Sequence, residues 1–372
     1  LSTTPSTRLL IVLPSWVGDV CMATPTLRAV RAGFPGIFVG GLCRPGIDEL
    51  LAGTDFFDEL HVERAAGVMG PKFIAAKVRP RRYDTALLLT NSFSTALTVR
   101  IAGVPRRVGY DRDARGLLLT DRMPAPKRPD GSWEPVPAVR YYWALAERFI
   151  LPASRVGGAA FGPLELGVTP AQDGAANHVL ARAFPGIDLS RGLAILNPGG
   201  NNPSKRWPAD RFARLAAGLV RASGWAVAVN GSPKEVELTR DIVTAARSVL
   251  GADAARVGDL AANGITLGSL KGIVKRSGLM VTNDTGPRHI AAAFGVPLVS
   301  LFGPTDHRWT TIPTRPEGPE TILLAAPSLP ESEAANDHPD RCAIERVEYE
   351  RVWAAAEPLI RAGMEPSKTP HG

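Results

Sequence analysis

The chain has 372 residues, 45% of them hydrophobic, and a formal charge of +7 at neutral pH. One hydrophobic core seldom grows to that length, so two domains are expected. No stretch approaches the roughly 18 consecutive apolar residues of a membrane-spanning helix, and the opening LSTTPSTRLL lacks the parts of a signal peptide, so a cytoplasmic location is expected.

Cys21, Cys43 and Cys342 show no CxxC pairing, which argues against a disulfide framework and against a zinc site. The positive charge calls for an anionic partner: nucleic acid, a phosphorylated ligand or an acidic membrane surface. No nucleic-acid recognition motif accompanies it, and the basic residues are not interleaved with aromatic platforms.

From the N-terminus, LLIVL (9–13), IFVGGL (37–42), ELHV (59–62), DTALLLT (84–90) and RRVGY (106–110) read as strands. Their apolar runs are continuous rather than alternating, as a parallel sheet covered on both faces requires. Between them TLRAVRAGF, RPGIDELLAG, FSTALTVRIAG and VRYYWALAERFI carry the apolar spacing of helices. GPLELGVTPAQDG (162–174) is rich in Gly and Pro and has no sustained apolar pattern, so the domain junction is placed near residues 165 to 185.

Alternation restarts with LAILNP (193–198), WAVAVNG (225–231), LMVTND (279–284) and PLVSLFG (297–303) as strands. PADRFARLAAGLVRASG, PKEVELTRDIVTAARSVLG, SLKGIVKRSG and GPRHIAAAFG are the helices between them. Residues 326–342 are polar and read as a surface loop, and ERVEYERVWAAAEPLIRAG as a last amphipathic helix. The pattern predicts an α/β chain with Rossmann-like domains at 1–170 and 171–342, parallel sheets facing a central cleft, and ligands at the strand C-termini.

Three strand ends carry candidate chemistry. After the first strand, PSWVGD delivers Gly18 and the lone carboxylate Asp19 to a helix start. Asp19 reads either as an acid favoured by the helix dipole or as a functional group. Thr24-Pro25 is itself a good cap and first-turn pair, and a helix begun at Asp19 would hold Pro25 inside it. In LNPGGNNPSKRWPADRF, Gly199 and Gly200 let backbone N–H groups approach an anion, Asn201, Asn202 and Ser204 add donors, and Lys205 and Arg206 add charge. In VTNDTGPRHIAAAFG, Asn283, Asp284, Thr285, Gly286 and His289 meet at one strand-to-helix junction, and GPTD (303–306) adds a turn at the same edge.

At these stretches, and at NSFSTALTVRIAGVPRRVGYDRDARGLLLTD (91–121), the chain resembles glycosyltransferase family 9, the ADP-heptose:lipopolysaccharide heptosyltransferases, nearest the heptosyltransferase II type. The resemblance implies a GT-B fold, a C-terminal domain that binds ADP-heptose, and a closing helix, 343–372, that returns to the first domain. It implies inverting transfer of heptose to the inner core, with Asp19 as general base across the cleft from the donor and Lys205 countering charge on the leaving diphosphate. Asp284 falls on the family's acidic position and would hold sugar hydroxyls; Glu235 is placed near ribose or adenine.

Lys77, Arg79, Arg81, Arg82, Arg106, Arg107, Arg112 and Arg115 are each ordinary surface cations alone, but as a set, with Gly18, they suit an acidic glycolipid acceptor, Kdo-lipid A or its heptosylated form. Asp111-Arg-Asp113 spells the DxD of metal-dependent enzymes but reads as salt-bridged surface, so no obligatory metal is expected. A monomer in peripheral contact with the inner membrane is expected. The alternatives are a relative using another sugar nucleotide or acceptor, and a non-catalytic nucleotide-sugar-binding protein.

Overall fold

The computed structural model describes residues 7–64, 67–151, 161–303, 306–326 and 343–362. The turn expected at 303–306 and the polar segment at 326–342, with Cys342, fall largely outside them. The chain divides into two compact units, Leu1–Gly167 with Arg308–Pro313 and Val168–His307 with Thr314–Gly372.

The first unit holds β1 (Arg8–Val12), α1 (Val17–Gly33), β2 (Phe38–Cys43), α2 (Ile47–Leu51), β3 (Glu59–Val62), α3 (Gly70–Val78), β4 (Thr85–Leu88), α4 (Phe93–Ile101), β5 (Arg106–Asp111), β6 (Asp121–Pro124) and α5 (Ala138–Phe149). The six strands are all parallel, in the order β3-β2-β1-β4-β5-β6.

The second unit holds α6 (Pro170–Ala183), β7 (Leu193–Asn197), α7 (Ala209–Ser223), β8 (Ala226–Val229), α8 (Val236–Ser248), β9 (Val257–Asp259), α9 (Leu267–Val274), β10 (Leu279–Asn283), α10 (Gly286–Ala293), β11 (Leu298–Phe302), β12 (Glu320–Leu324) and α11 (Tyr349–Ala362). Its sheet is again all parallel, in the order β12-β11-β10-β7-β8-β9. In both sheets the chain starts at the centre, builds outward, then crosses to the other side. The reversals, between β1 and β4 and between β7 and β10, are where such sheets bind ligands.

The elements follow from burial. β7, β10 and β11 are buried along their whole length, as their apolar runs require. α7 buries Phe212, Ala213, Leu215, Ala216, Leu219 and Val220 on one stripe and ends at Gly224, whose φ of 68° is the left-handed cap glycine adopts without strain.

The structure corrects several expectations. α1 begins at Val17, not at Thr24, and carries Pro25 inside it. Proline takes an N–H from the helix and leaves the Cys21 carbonyl without its usual donor. The Thr24 hydroxyl donates to that carbonyl at 2.7 Å, so the residue expected to cap a helix repairs one. The unassigned strands β6, β9 and β12 all lie at sheet edges. An edge strand needs no continuous apolar run: β6 and β12 are only partly buried, and β9 has 3 residues.

α3 was not expected, and α6 stands where the sequence showed a Pro- and Gly-rich junction. Its start was legible in Thr169 and Gln172, whose side chains cap each other's backbone in a capping box. The closing helix, expected on the first domain, packs within the second unit: Val352, Ala356 and Ile360 join the core around β7 and α7. A Cβ on Gly218 of α7 would lie 2.7 Å from the Trp353 ring, so glycine is what lets the two helices meet there.

Candidate active site

The loops after β7 and β10 meet at the reversal of the second sheet. Lys205, in a short 3-10 turn after β7, places Nζ 3.5 Å from Oδ2 of Asp284, which directly follows β10. The Asp284 side chain is only 8% exposed and that of Lys205 25%, so the ammonium is the partner that solvent reaches.

Beneath this pair lie buried amides of which sequence reading singled out Asn283 but missed Asn197 and Asn230. Asn230 donates to Asn197 Oδ1 at 2.6 Å, and Asn197 donates to the hydroxyls of Thr285 at 2.8 Å and Thr282 at 3.2 Å. Asn283 donates to the Pro198 carbonyl at 2.7 Å and accepts from Trp207 N–H at 3.3 Å. Trp207, almost wholly buried, donates through its indole to the Val347 carbonyl at 2.8 Å and meets Phe212 edge-on. These bonds fix the two loops to one another from below. The readable signal was an Asn at the last position of both β7 and β10, where a buried strand gains nothing from an amide unless it is paired.

Glu235 is engaged with protein on both oxygens. Oε1 accepts from Gly200 N–H at 2.9 Å, and Oε2 accepts from the Ser232 N–H and hydroxyl, each at 2.8 Å. Burial pushes its carboxyl up, but those hydrogen bonds and the charge of Arg206 outweigh it and leave the group below the usual carboxylate range. A Cβ on Gly199 would sit 2.5 Å from Glu235 Oε1, so only glycine allows this closeness. Gly200 N–H is therefore taken by Glu235 rather than open to an anion, and Glu235 clamps the loop. Arg206 donates to the Gly200 carbonyl at 2.8 Å, and Asn202 accepts from Ser204 N–H at 3.0 Å, so both shape the same loop; Asn201 and Asn202 are exposed.

Thr285 stands at the N-cap position of α10 without a side-chain capping bond, and Gly286 opens the helix. His289, one turn in, is buried, and its Nδ1 has no hydrogen-bond partner among the described residues. Burial, and then the charge of Arg288, hold its pKa well below 6.5, so the ring is neutral at physiological pH.

In the first unit, Gly18 and Asp19 form the first turn of α1, at the sheet reversal beside β1. Tyr142 of α5, buried, has its hydroxyl pKa raised by burial and then by the charge of Asp19. Most of the basic set does not share this edge. Because all strands run the same way, Arg79, Arg81 and Arg82 before β4, and Arg106 and Arg107 opening β5, lie at the strand N-termini, a strand length of about 15 Å from the Asp19 edge.

Most of the basic set also has structural partners. Arg79 donates to the Ile101 carbonyl at 2.6 Å, Arg81 pairs with Glu59 at 2.6 Å, and Lys77 pairs with Glu63. Arg106 donates to the Phe149 carbonyl at 2.8 Å and Arg107 to that of Leu118 at 2.6 Å. Arg115 is wholly buried and donates to the carbonyls of Thr90 and Tyr110. Of the acceptor set, Arg112 stands at the Asp19 edge, 4.2 Å over the Trp133 ring and 3.3 Å from Asp113. Asp111 is 3.5 Å from Arg122, so each DxD carboxylate faces an arginine. Among the described residues, no group of three His, Cys, Asp or Glu is placed to hold a metal ion.

Two doubly wound units with polar groups at their reversals are shared by many enzymes, and comparison with known proteins narrows the choice. A family model described as glycosyltransferase family 9 (heptosyltransferase) matches residues 73–336. The chain belongs to that family. Lipopolysaccharide heptosyltransferase 2 of Salmonella typhimurium is 28% identical to this family 9 chain over 311 residues, covering 82% of it and 84% of the relative. The Haemophilus influenzae lipooligosaccharide heptosyltransferase 2 is 27% identical over 308 residues, covering 82% and 85%. The solved structure of Escherichia coli ADP-heptose lps heptosyltransferase II matches 96% of this chain and 100% of its own, with a TM-score of 0.77 at 24% identity, which establishes the GT-B fold.

Proposed function

We propose that this family 9 glycosyltransferase moves a heptose from ADP-heptose to an acidic glycolipid of the lipopolysaccharide inner core, with inversion at the anomeric carbon. The observation that carries the reading is the Lys205–Asp284 pair at the reversal of the second sheet, 3.5 Å apart and braced by buried amides, in a chain whose relatives carry heptosyltransferase names. A lysine on a flexible stem can leave a carboxylate for a diphosphate, and the loop and the start of α10 add backbone dipoles.

In this mechanism the acceptor hydroxyl oxygen bonds to the anomeric carbon while Asp19 takes its proton. The bond from that carbon to the β-phosphate oxygen breaks, and its electron pair leaves with ADP, whose charge Lys205 offsets. Asp19 needs to accept the proton only late, in an oxocarbenium-like transition state, which a carboxylate can do. Asp284, between Lys205 and α10, is the group for sugar hydroxyls. Arg112 is the cation that suits an acceptor's phosphates or carboxylates, and the enzyme works as a monomer at the inner face of the membrane.

The test is ADP release from ADP-heptose with heptosyl-Kdo-lipid A, with and without EDTA, for wild type and Asp19→Asn. Turnover that resists EDTA and falls by about 10²- to 10⁴-fold in the variant, with donor binding unchanged, is the expected result. Donor binding without turnover points to another acceptor, and failure to bind any ADP-sugar overturns the donor assignment.

A further inference from the structure

Arg288 lies four residues after Asp284, on the first turn of α10, and its side chain is 0% exposed. Its Nε and one terminal nitrogen grip Glu320, at the start of β12, at 2.6 and 2.9 Å, and the Ser300 hydroxyl donates to the same carboxylate at 2.5 Å. The guanidinium stands 4.9 Å over the Phe302 ring. Its other terminal nitrogen is 3.7 Å from Asp284 Oδ1, while Lys205 sits on Oδ2.

Four charges therefore alternate: Glu320, Arg288, Asp284, Lys205. Two carboxylates against one guanidinium would leave a net negative charge in a nearly dry place, and the lysine balances it. The four differ in freedom. Arg288 is fixed at two points by Glu320, and Asp284 and Glu320 are 8% and 6% exposed, whereas Lys205 is 25% exposed on a flexible stem. If Lys205 moves toward an anion, Asp284 loses one counter-charge and keeps the other, so no bare carboxylate is left buried.

We propose that Arg288 is a positioning residue that shares Asp284 with Lys205 and so keeps the lysine available to the donor's diphosphate. This rests on the donor reading above. Were Lys205 the sole counter-charge of Asp284, its release would strand the carboxylate, and the lysine would stay home.

The experiment removes both members of the inner pair together, because a lone survivor would be a buried unpaired charge. Arg288→Gln with Glu320→Gln is the first variant and Arg288→Met with Glu320→Met the second, so that one is available if the other fails to fold, as judged by circular dichroism. Ligand-free protein is labelled with acetic anhydride, and the rate at Lys205 is read by mass spectrometry against the other lysines; binding of ADP-heptose is measured in parallel. The expected result is labelling of Lys205 slowed about fivefold, since Asp284 now holds its ammonium alone, other lysines unchanged, and ADP-heptose bound about tenfold more weakly. A merely structural ion pair would not move the Lys205 rate, and a rate within twofold of wild type overturns the proposal. If the rate shifts as expected while wild type binds no ADP-heptose, the sharing of Asp284 stands and the donor reading falls.

Discussion

The two units have one topology and distribute their charge in opposite ways. In the second, cations and carboxylates gather where the sheet reverses: Lys205, Asp284 and Arg288 lie within 4 Å of their partners, over a bed of paired amides. In the first, Asp19 holds the equivalent place after the opening strand, but Arg79, Arg81, Arg106 and Arg107 sit at the opposite edge with carbonyl or carboxylate partners. A strand end fixes where its following loop must be, whereas net charge says nothing about which end of a parallel strand it occupies. The second unit thus gathers a cluster of charges at its reversal, while the first offers a single carboxylate and one arginine at that edge.

The largest test of this contrast is Lys205→Ala. Loss of one preorganised counter-charge should lower kcat/KM by about 10²- to 10³-fold, roughly 3 to 4 kcal/mol, because the bound diphosphate, already anionic, gains a further negative charge as it departs. Steady-state ADP release at saturating acceptor measures it. A loss below tenfold would take the counter-charge role from Lys205 and with it the claim that the second unit concentrates the chemistry.

Glu235→Ala should act through the loop, raising the donor KM about tenfold, roughly 1.4 kcal/mol, with a smaller change in kcat, since it frees Gly200 N–H and the Ser232 turn. The carboxyl lies below its ordinary value of 4.5, so the tie is complete above about pH 4.5 and is lost as pH falls through the lower folded value. Donor affinity measured from neutral to acid pH should therefore fall in wild type toward that of the variant, whose own curve lacks this step. Parallel curves would show that the clamp does not hold the loop.

Much of this was legible in sequence for a stated reason. The continuous apolar runs gave the central strands, and the polar residues of the loops that leave them, Asp284 directly after β10 and Asp19 and Lys205 a few residues beyond β1 and β7, could be placed at the strand C-termini. Pairing was not legible: Glu320 follows Arg288 by 32 residues and is reached only through the register of β11 and β12. Nor could local rules show that Thr24 repairs a proline break, since the competing reading, a cap, satisfies the same propensities. Edge strands were missed because they carry no buried run, and α6 because alanine and glycine hide its amphipathicity while its capping box went unread.

The smallest expected effects test the edge argument directly. Arg79→Ala with Arg81→Ala should leave the acceptor KM within twofold, and Arg112→Ala should raise it about fivefold, although each change removes cations from the same unit. At physiological ionic strength the Debye length is about 8 Å, so a cation roughly 15 Å from the reacting edge, already facing Glu59 or a carbonyl, is largely screened from a bound anion. Arg112 stands over Trp133 at the edge itself, where a phosphate or carboxylate can meet it directly. If the double variant weakens the acceptor as much as Arg112→Ala does, and the difference vanishes in high salt, the unit attracts its acceptor by a diffuse field. In that case its composition, rather than the placement of any one arginine, governs the encounter.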